Sequence, residues 1–120
     1  MIRPFSYKEY VQIIDWVKSN YNILQYSDVN TDSDEFCVIR HDVEYSIKRA
    51  YELAKLEETM GIKTTYLIQI RNNCYNALSV KNVSLLREIY DMGHDIGLHV
   101  HRGLMHLYED ISDMILFISD

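Results

Sequence analysis

The stretch FCVIRHDVE, residues 36–44, joins an apolar run to a charged end. Phe36 to Ile39 is short, apolar and β-prone, which is typical of a strand buried on both faces of a parallel sheet. The polar residues after it would then lie beyond the carboxyl end of that strand, where reactive side chains of α/β proteins gather. The stretch therefore predicts a buried first strand with a candidate site at its end.

Two helix-and-strand units follow this first strand. Ser46 is a suitable N-cap for a helix that ends at Gly61, and residues 64–70, TTYLIQI, are the second predicted strand. A second helix ends at Gly93, and the third predicted strand covers residues 96–101. Strands that alternate with helices indicate a parallel βαβαβ sheet with right-handed crossovers.

An N-terminal helix is expected before this α/β region. Ser6 and Glu9 form a capping box, which predicts a helix that runs to about Asn20. Its predicted buried positions are Tyr10, Ile13, Ile14 and Val17. The polar residues after it lack periodicity and predict a loop. We therefore predict a helix and loop over residues 1–35 and an α/β domain over residues 36–120.

Composition and charge exclude several classes of function. The 120 residues carry a net charge of -6 and scattered Lys and Arg, so we expect no nucleic-acid partner. No apolar run approaches the ~20 residues of a membrane span, and the N-terminus lacks the apolar core of a signal peptide. We therefore expect a cytoplasmic protein. Cys37 and Cys74 lack metal-binding spacing and are expected to be free thiols.

Four of the five histidines lie in MGHDIGLHVHRGLMH, residues 92–106. His99 lies in an apolar strand segment, where a polar ring needs a buried partner, so a ligand role is favoured for it. His94 follows a helix-ending glycine and is expected to hydrogen-bond to backbone. His106 is expected to be a solvated surface residue.

Carboxylates and imidazoles are expected to converge from two strand ends. Side chains two apart on an extended segment share a face, so Asp42 pairs with Glu44 and His99 pairs with His101. Such a set suits zinc or another divalent transition ion with one position open for water. The alternative for each acid is a loop cap or a solvated charge.

These motifs resemble the polysaccharide deacetylase superfamily, the NodB-homology fold of carbohydrate esterase family 4. The matching stretches are VIRHDVE at 38–44, AYELAKLEETMGIKTTYLIQI at 50–70, CYNALSVKN at 74–82 and MGHDIGLHVH at 92–101. The resemblance is to the branch with an RHDVD opening and covers about residues 36–101. It implies the first half of a distorted (β/α)7 barrel.

The resemblance also implies roles for single residues. Asp42 matches the general base, and Glu44 matches the acidic metal ligand, where this branch usually carries Asp. His99 matches the first of two histidine ligands, whereas Gly103 stands where the family has the second. We infer that His101 replaces that second ligand, because it should share the face of His99.

The implied activity is metal-dependent hydrolysis of the N-acetyl group of an amino sugar in a polysaccharide or its precursor. The family's general acid lies on later strands, so we expect self-association or a missing C-terminal half. Two alternatives stay open. One is a non-catalytic remnant of the fold that binds carbohydrate or a protein. The other is a structural module whose apolar helix at residues 107–118 docks to a partner.

Overall fold

The computed structural model describes residues 5–30 and 35–100 of the chain. It confirms a mixed α/β fold with parallel strands and an N-terminal helix. Contacts divide the chain into two compact units, residues 1–39 and 40–120. His101, His106 and the helix predicted at 107–118 lie outside the described residues.

The first unit begins with helix α1, Tyr7–Asn20, at the predicted capping box. The Ser6 hydroxyl oxygen accepts a hydrogen bond from the backbone N–H of Glu9, and the Glu9 carboxylate accepts one from the N–H of Ser6. Among the four predicted core positions Ile14 is buried, but Ile13 is 51% exposed. Within this unit α1 packs against the short strand β1, Asn22–Ile23, and buries a narrow stripe that leaves Ile13 outside, so the prediction for Ile13 is wrong.

Strand β2, Phe36–Cys37, does not belong to the main sheet. It pairs in parallel with β1, and a 3-10 turn, Tyr26–Asp28, lies between the two strands in the sequence. Phe36 is 37% exposed, so the prediction of a strand buried on both faces over residues 36–39 is wrong. A short apolar run does not specify which partner it pairs with, and here the partner lies in the segment predicted as loop.

The second unit contains a parallel three-stranded sheet with two helical crossovers. Its elements are β3, Arg40–Val43, α2, Ile47–Thr59, β4, Thr65–Ile68, α3, Val80–Asp91, and β5, Asp95–Leu98. The strand order is β3-β4-β5, so β4 is central. This topology confirms the predicted parallel βαβαβ arrangement, although the first strand begins at Arg40 instead of Phe36.

The start of α2 and the ends of both helices lie at the predicted signals, whereas the cap of α3 was not predicted. The Ser46 hydroxyl oxygen accepts from the N–H of Arg49 at the start of α2, and Ser79 caps α3 in the same way. Gly61 and Gly93, with φ of 72° and 100°, end the two helices in the left-handed conformation. No helix in the described part of the chain is long and apolar enough to cross a membrane.

The two faces of the sheet have different surroundings. Both helices pack on the face of Val43, Tyr66 and Ile68, where Ile47, Ala50, Ala54, Ala77, Leu86 and Ile89 complete the core. Asp42, Leu67 and Gly97 are in register across the three strands and point to the opposite face, here called the Asp42 face. A Cβ atom on Gly97 would lie 2.7 Å from Leu67 Cδ2, so a side chain there would crowd this face.

Candidate functional site

Side chains from all three strands meet at the carboxyl end of the Asp42 face. Asp42 lies inside β3, and His99 directly follows β5. The His99 Nε2 and Asp42 Oδ2 atoms are 3.6 Å apart. The sequence predicted that these residues converge from two strand ends; β4 lies between the two strands, so the side chains meet across the middle of the sheet. This distance places both side chains at the same end of the sheet.

Arg40 holds the Asp42 carboxylate from the same strand. Its Nε lies 3.0 Å from Oδ1, and its terminal amino group donates to Oδ2 over 3.2 Å. The side chains of Arg40 and Asp42 are 51% and 31% exposed. A guanidinium that contacts both carboxylate oxygens fixes their orientation while leaving the carboxylate accessible. Asp42 therefore combines a defined position with contact to solvent.

Two side-chain amides support His99 from the β4 side. Gln69 Nε2 lies 2.8 Å from His99 Nδ1, and Asn72 Nδ2 donates to Gln69 Oε1. The sequence reasoning did not identify Gln69 or Asn72 as site residues. The sequence signal for Gln69 is a polar residue near the end of the apolar strand TTYLIQI, since a polar side chain buried there needs hydrogen-bond partners. In the structure Gln69 is only 5% exposed.

The loop after β4 is tied to the end of β3. Asn72 Nδ2 donates to the carbonyl of Glu44 over 2.8 Å, and the Tyr75 hydroxyl donates to the carbonyl of Val43 over 2.6 Å. The same hydroxyl oxygen accepts from the N–H of Gln69. Burial raises the pKa of Tyr75 above its ordinary value of 10.0, and the charge of Glu44 adds to the rise. The phenol therefore stays protonated and keeps donating to Val43.

The described residues contain no candidate metal-binding group. Across residues 5–30 and 35–100, no three His, Cys, Asp or Glu side chains are grouped so that they could hold a metal ion. His101 lies outside these ranges, so the ligand roles of Glu44, His99 and His101 stay predictions. Glu44 takes part in the site through its backbone carbonyl, which accepts from Asn72.

The hydrogen bonds of His99 also bear on metal binding. A histidine that ligates through Nε2 normally donates its Nδ1–H to an acceptor. Here the His99 Nδ1 faces the amide nitrogen of Gln69, which donates and does not accept. The described arrangement therefore does not fit His99 as a metal ligand through the nitrogen that faces Asp42.

A second cluster of His and carboxylate side chains lies on the helix-covered face. Glu57 of α2 is fully buried, and its Oε2 lies 2.8 Å from His41 Nε2. Its Oε1 accepts hydrogen bonds from the hydroxyls of Thr64 and Tyr66. The rings of His41 and Tyr66 contact each other at a tilt of 37°, with their centroids 4.8 Å apart. We call these four residues the Glu57 cluster.

His94 contacts Thr64 and Tyr66 of this cluster and is itself 1% exposed. Its Nδ1 accepts from the N–H of Thr64, and its Nε2 lies 3.1 Å from the carbonyl of Ala54. Because that carbonyl can only accept, the neutral ring carries its proton on Nε2. The prediction that His94 hydrogen-bonds to backbone is confirmed.

Comparison with known proteins adds no family assignment. No family model, no curated protein and no solved structure matches the chain. The resemblance to the polysaccharide deacetylases therefore stays a prediction from the motifs of the sequence.

Proposed function

We propose that the chain carries the general base of a hydrolase site that removes the acetyl group from an N-acetylated amino sugar. The observation that carries this proposal is the 3.6 Å approach of Asp42 Oδ2 and His99 Nε2 at the carboxyl end of a parallel sheet. A carboxylate and an imidazole at this separation can both reach one small substrate group. The substrate class follows from the motif resemblance around these two residues.

In this proposal Asp42 accepts a proton from a water molecule while the water oxygen bonds to the carbonyl carbon of the acetamide. The carbonyl electrons move to oxygen, and the resulting negative charge is stabilised by hydrogen-bond donors near it. When the C–N bond breaks, the nitrogen takes up the proton that Asp42 accepted, so the products are an amine and acetic acid. No step is assigned to a metal ion, because the hydrogen bonds of His99 do not fit a ligand nitrogen facing Asp42.

The test compares Asp42→Asn with the full wild-type chain in an acetate-release assay on N-acetylglucosamine oligomers. We expect the rate to fall by at least about 100-fold, because an amide cannot accept the proton of water. Asp91→Asn is the matched control, since Asp91 is an exposed carboxylate at the end of α3, and its rate should equal that of wild type. Equal acetate release by Asp42→Asn and wild type would overturn the proposal.

Calorimetry with acetylated and deacetylated oligomers separates the alternatives. Binding of both oligomers without acetate release would favour a non-catalytic carbohydrate-binding module. Failure to bind either oligomer, together with no acetate release, would favour a structural module. Both results would contradict a role of Asp42 as a general base.

A further inference from the structure

The backbone fixes the orientation of the Asn72 side chain. Its Oδ1 atom accepts from the N–H groups of Cys74 and Tyr75, over 2.6 and 3.1 Å, and a backbone N–H can only donate. Its Nδ2 atom donates to the carbonyl of Glu44, which can only accept. The amide of Asn72 therefore cannot turn over without losing three hydrogen bonds.

The orientation of Asn72 in turn fixes that of Gln69. The Asn72 nitrogen donates to the near atom of the Gln69 amide, so that atom must be the oxygen, Oε1. The far atom is then Nε2, which faces His99 Nδ1 at 2.8 Å. Since Gln69 is buried, water cannot readily supply a replacement partner if the amide turns over.

The lone pair of an amide nitrogen is delocalised into the carbonyl group, so this atom does not accept hydrogen bonds and His99 Nδ1 must be the acceptor. In the neutral imidazole the proton then resides on the other nitrogen, Nε2, which is the atom that lies 3.6 Å from Asp42 Oδ2. The position of one proton is thus determined by backbone groups of the loop after β4.

We propose that Gln69 and Asn72 are positioning residues that hold the proton of neutral His99 on Nε2, so that His99 presents a hydrogen-bond donor next to Asp42. For catalysis this deepens the proposed function and rests on it, because the Nε2–H can donate to the oxygen that gains negative charge. The same arrangement opposes metal binding through Nε2, which requires a lone pair on that nitrogen. The side chain at position 69 therefore determines whether His99 Nε2 acts as a hydrogen-bond donor or as a metal ligand.

The tautomer is measured directly by long-range 1H–15N NMR of the histidine rings in the full chain, at about pH 8, where ordinary imidazoles are neutral. We expect His99 to carry its proton on Nε2, with its signals assigned by their loss in His99→Gln. In Gln69→Glu an acceptor replaces the donor next to Nδ1, so the proton should move to Nδ1. His94 is the internal control, since its two backbone partners keep its proton on Nε2 in both proteins.

Zinc titration gives a second readout. Gln69→Glu should bind Zn²⁺ at least about tenfold more tightly than wild type, because it frees the Nε2 lone pair beside Asp42. The gain in affinity should disappear in the double variant Gln69→Glu/His99→Ala, which would show that the gain depends on His99. A wild-type chain that already binds zinc through His99 Nε2, or a variant without any gain, would overturn the proposal.

Asn72→Asp repeats the test without changing the buried Gln69. A carboxylate at position 72 cannot donate, so the Gln69 amide must turn over and offer its oxygen to His99 Nδ1. We expect the same move of the His99 proton, and an unchanged tautomer would contradict the proposal even if Gln69→Glu fails to fold. A failure of the proposed hydrolase function would appear only in the acetate-release assay with Asp42→Asn. It would leave the NMR result unchanged.

Discussion

Two pairs of histidine and carboxylate lie in the described part of the second unit, residues 40–100, and adjacent residues of β3 contribute to both. His41 points to the helices and contacts Glu57 at 2.8 Å, whereas Asp42 points to the opposite face and lies 3.6 Å from His99. Glu57 is fully buried, while the Asp42 side chain is 31% exposed. The same two residue types thus occupy a sealed position and an accessible one on opposite faces of one strand.

The difference shows what each pair can do. Every oxygen of Glu57 has a donor inside the protein, and a buried carboxylate with satisfied partners stabilises a single packing of α2 on the sheet. Asp42 and His99 are separated by more than a hydrogen-bond length, so both can contact a third group. We therefore expect changes in the Glu57 cluster to affect stability and changes at Asp42 to affect chemistry.

The largest expected effect on stability is that of Glu57→Ala. The substitution leaves His41 and the hydroxyls of Thr64 and Tyr66 without their buried acceptor, so the free energy of unfolding should fall by about 3–5 kcal/mol. Urea unfolding measures this change. The matched variant Asp42→Ala, at an accessible site, should lose less than about 1 kcal/mol. Equal losses of unfolding free energy in the two variants would contradict the distinction between the Glu57 cluster and Asp42.

Tyr75→Phe tests the link between β3 and the loop that carries Asn72. It removes a hydroxyl that accepts from the Gln69 N–H and donates to the Val43 carbonyl, and leaves both backbone groups without this partner. We expect the free energy of unfolding to fall by about 1–3 kcal/mol, less than for Glu57→Ala. Urea unfolding of Tyr51→Phe, at a partly buried position on α2, provides a control for the loss of a phenol hydroxyl.

The pH dependence of stability isolates Tyr75 by a different measurement. Its pKa is raised in the folded state, so the unfolded chain loses this proton first, near pH 10.0. The stabilisation from Tyr75 is fully present below pH 10.0 and is lost as the pH rises through the higher pKa of the folded protein. The stability difference between wild type and Tyr75→Phe should therefore shrink above pH 10.0. A constant difference from neutral to alkaline pH would contradict this.

The smallest expected effect is that of Arg40→Ala. Arg40 contacts both oxygens of Asp42, but its side chain is half exposed, so water competes with the ion pair. The free energy of unfolding should change by less than about 1 kcal/mol, as measured by urea unfolding beside Arg87→Ala, which removes another exposed arginine. A loss of stability as large as that of Glu57→Ala would show that the contacts of Arg40 with Asp42 also stabilise the fold.

The parts of the fold that could be predicted depend on short stretches of chain. The capping box of Ser6 and Glu9, the Ser46 cap and the glycines at 61 and 93 act through hydrogen bonds or φ angles within a few residues. The alternation of strands and helices likewise indicated a parallel sheet. The backbone role of His94 followed from its place after a helix-ending glycine.

Only the tertiary structure decided how distant segments pair. The run FCVI contains no information that selects β1 as the partner of Phe36–Cys37, so the start of the main sheet was placed too early. The approach of Asp42 to His99 depends on β4 lying between their strands. The chain of hydrogen bonds from Cys74 through Asn72 and Gln69 to His99 exists because a loop and two strand ends meet in space. Residue types can therefore identify a carboxylate and a histidine as candidate site residues. The histidine nitrogen that carries the proton is determined by partners far away in the sequence.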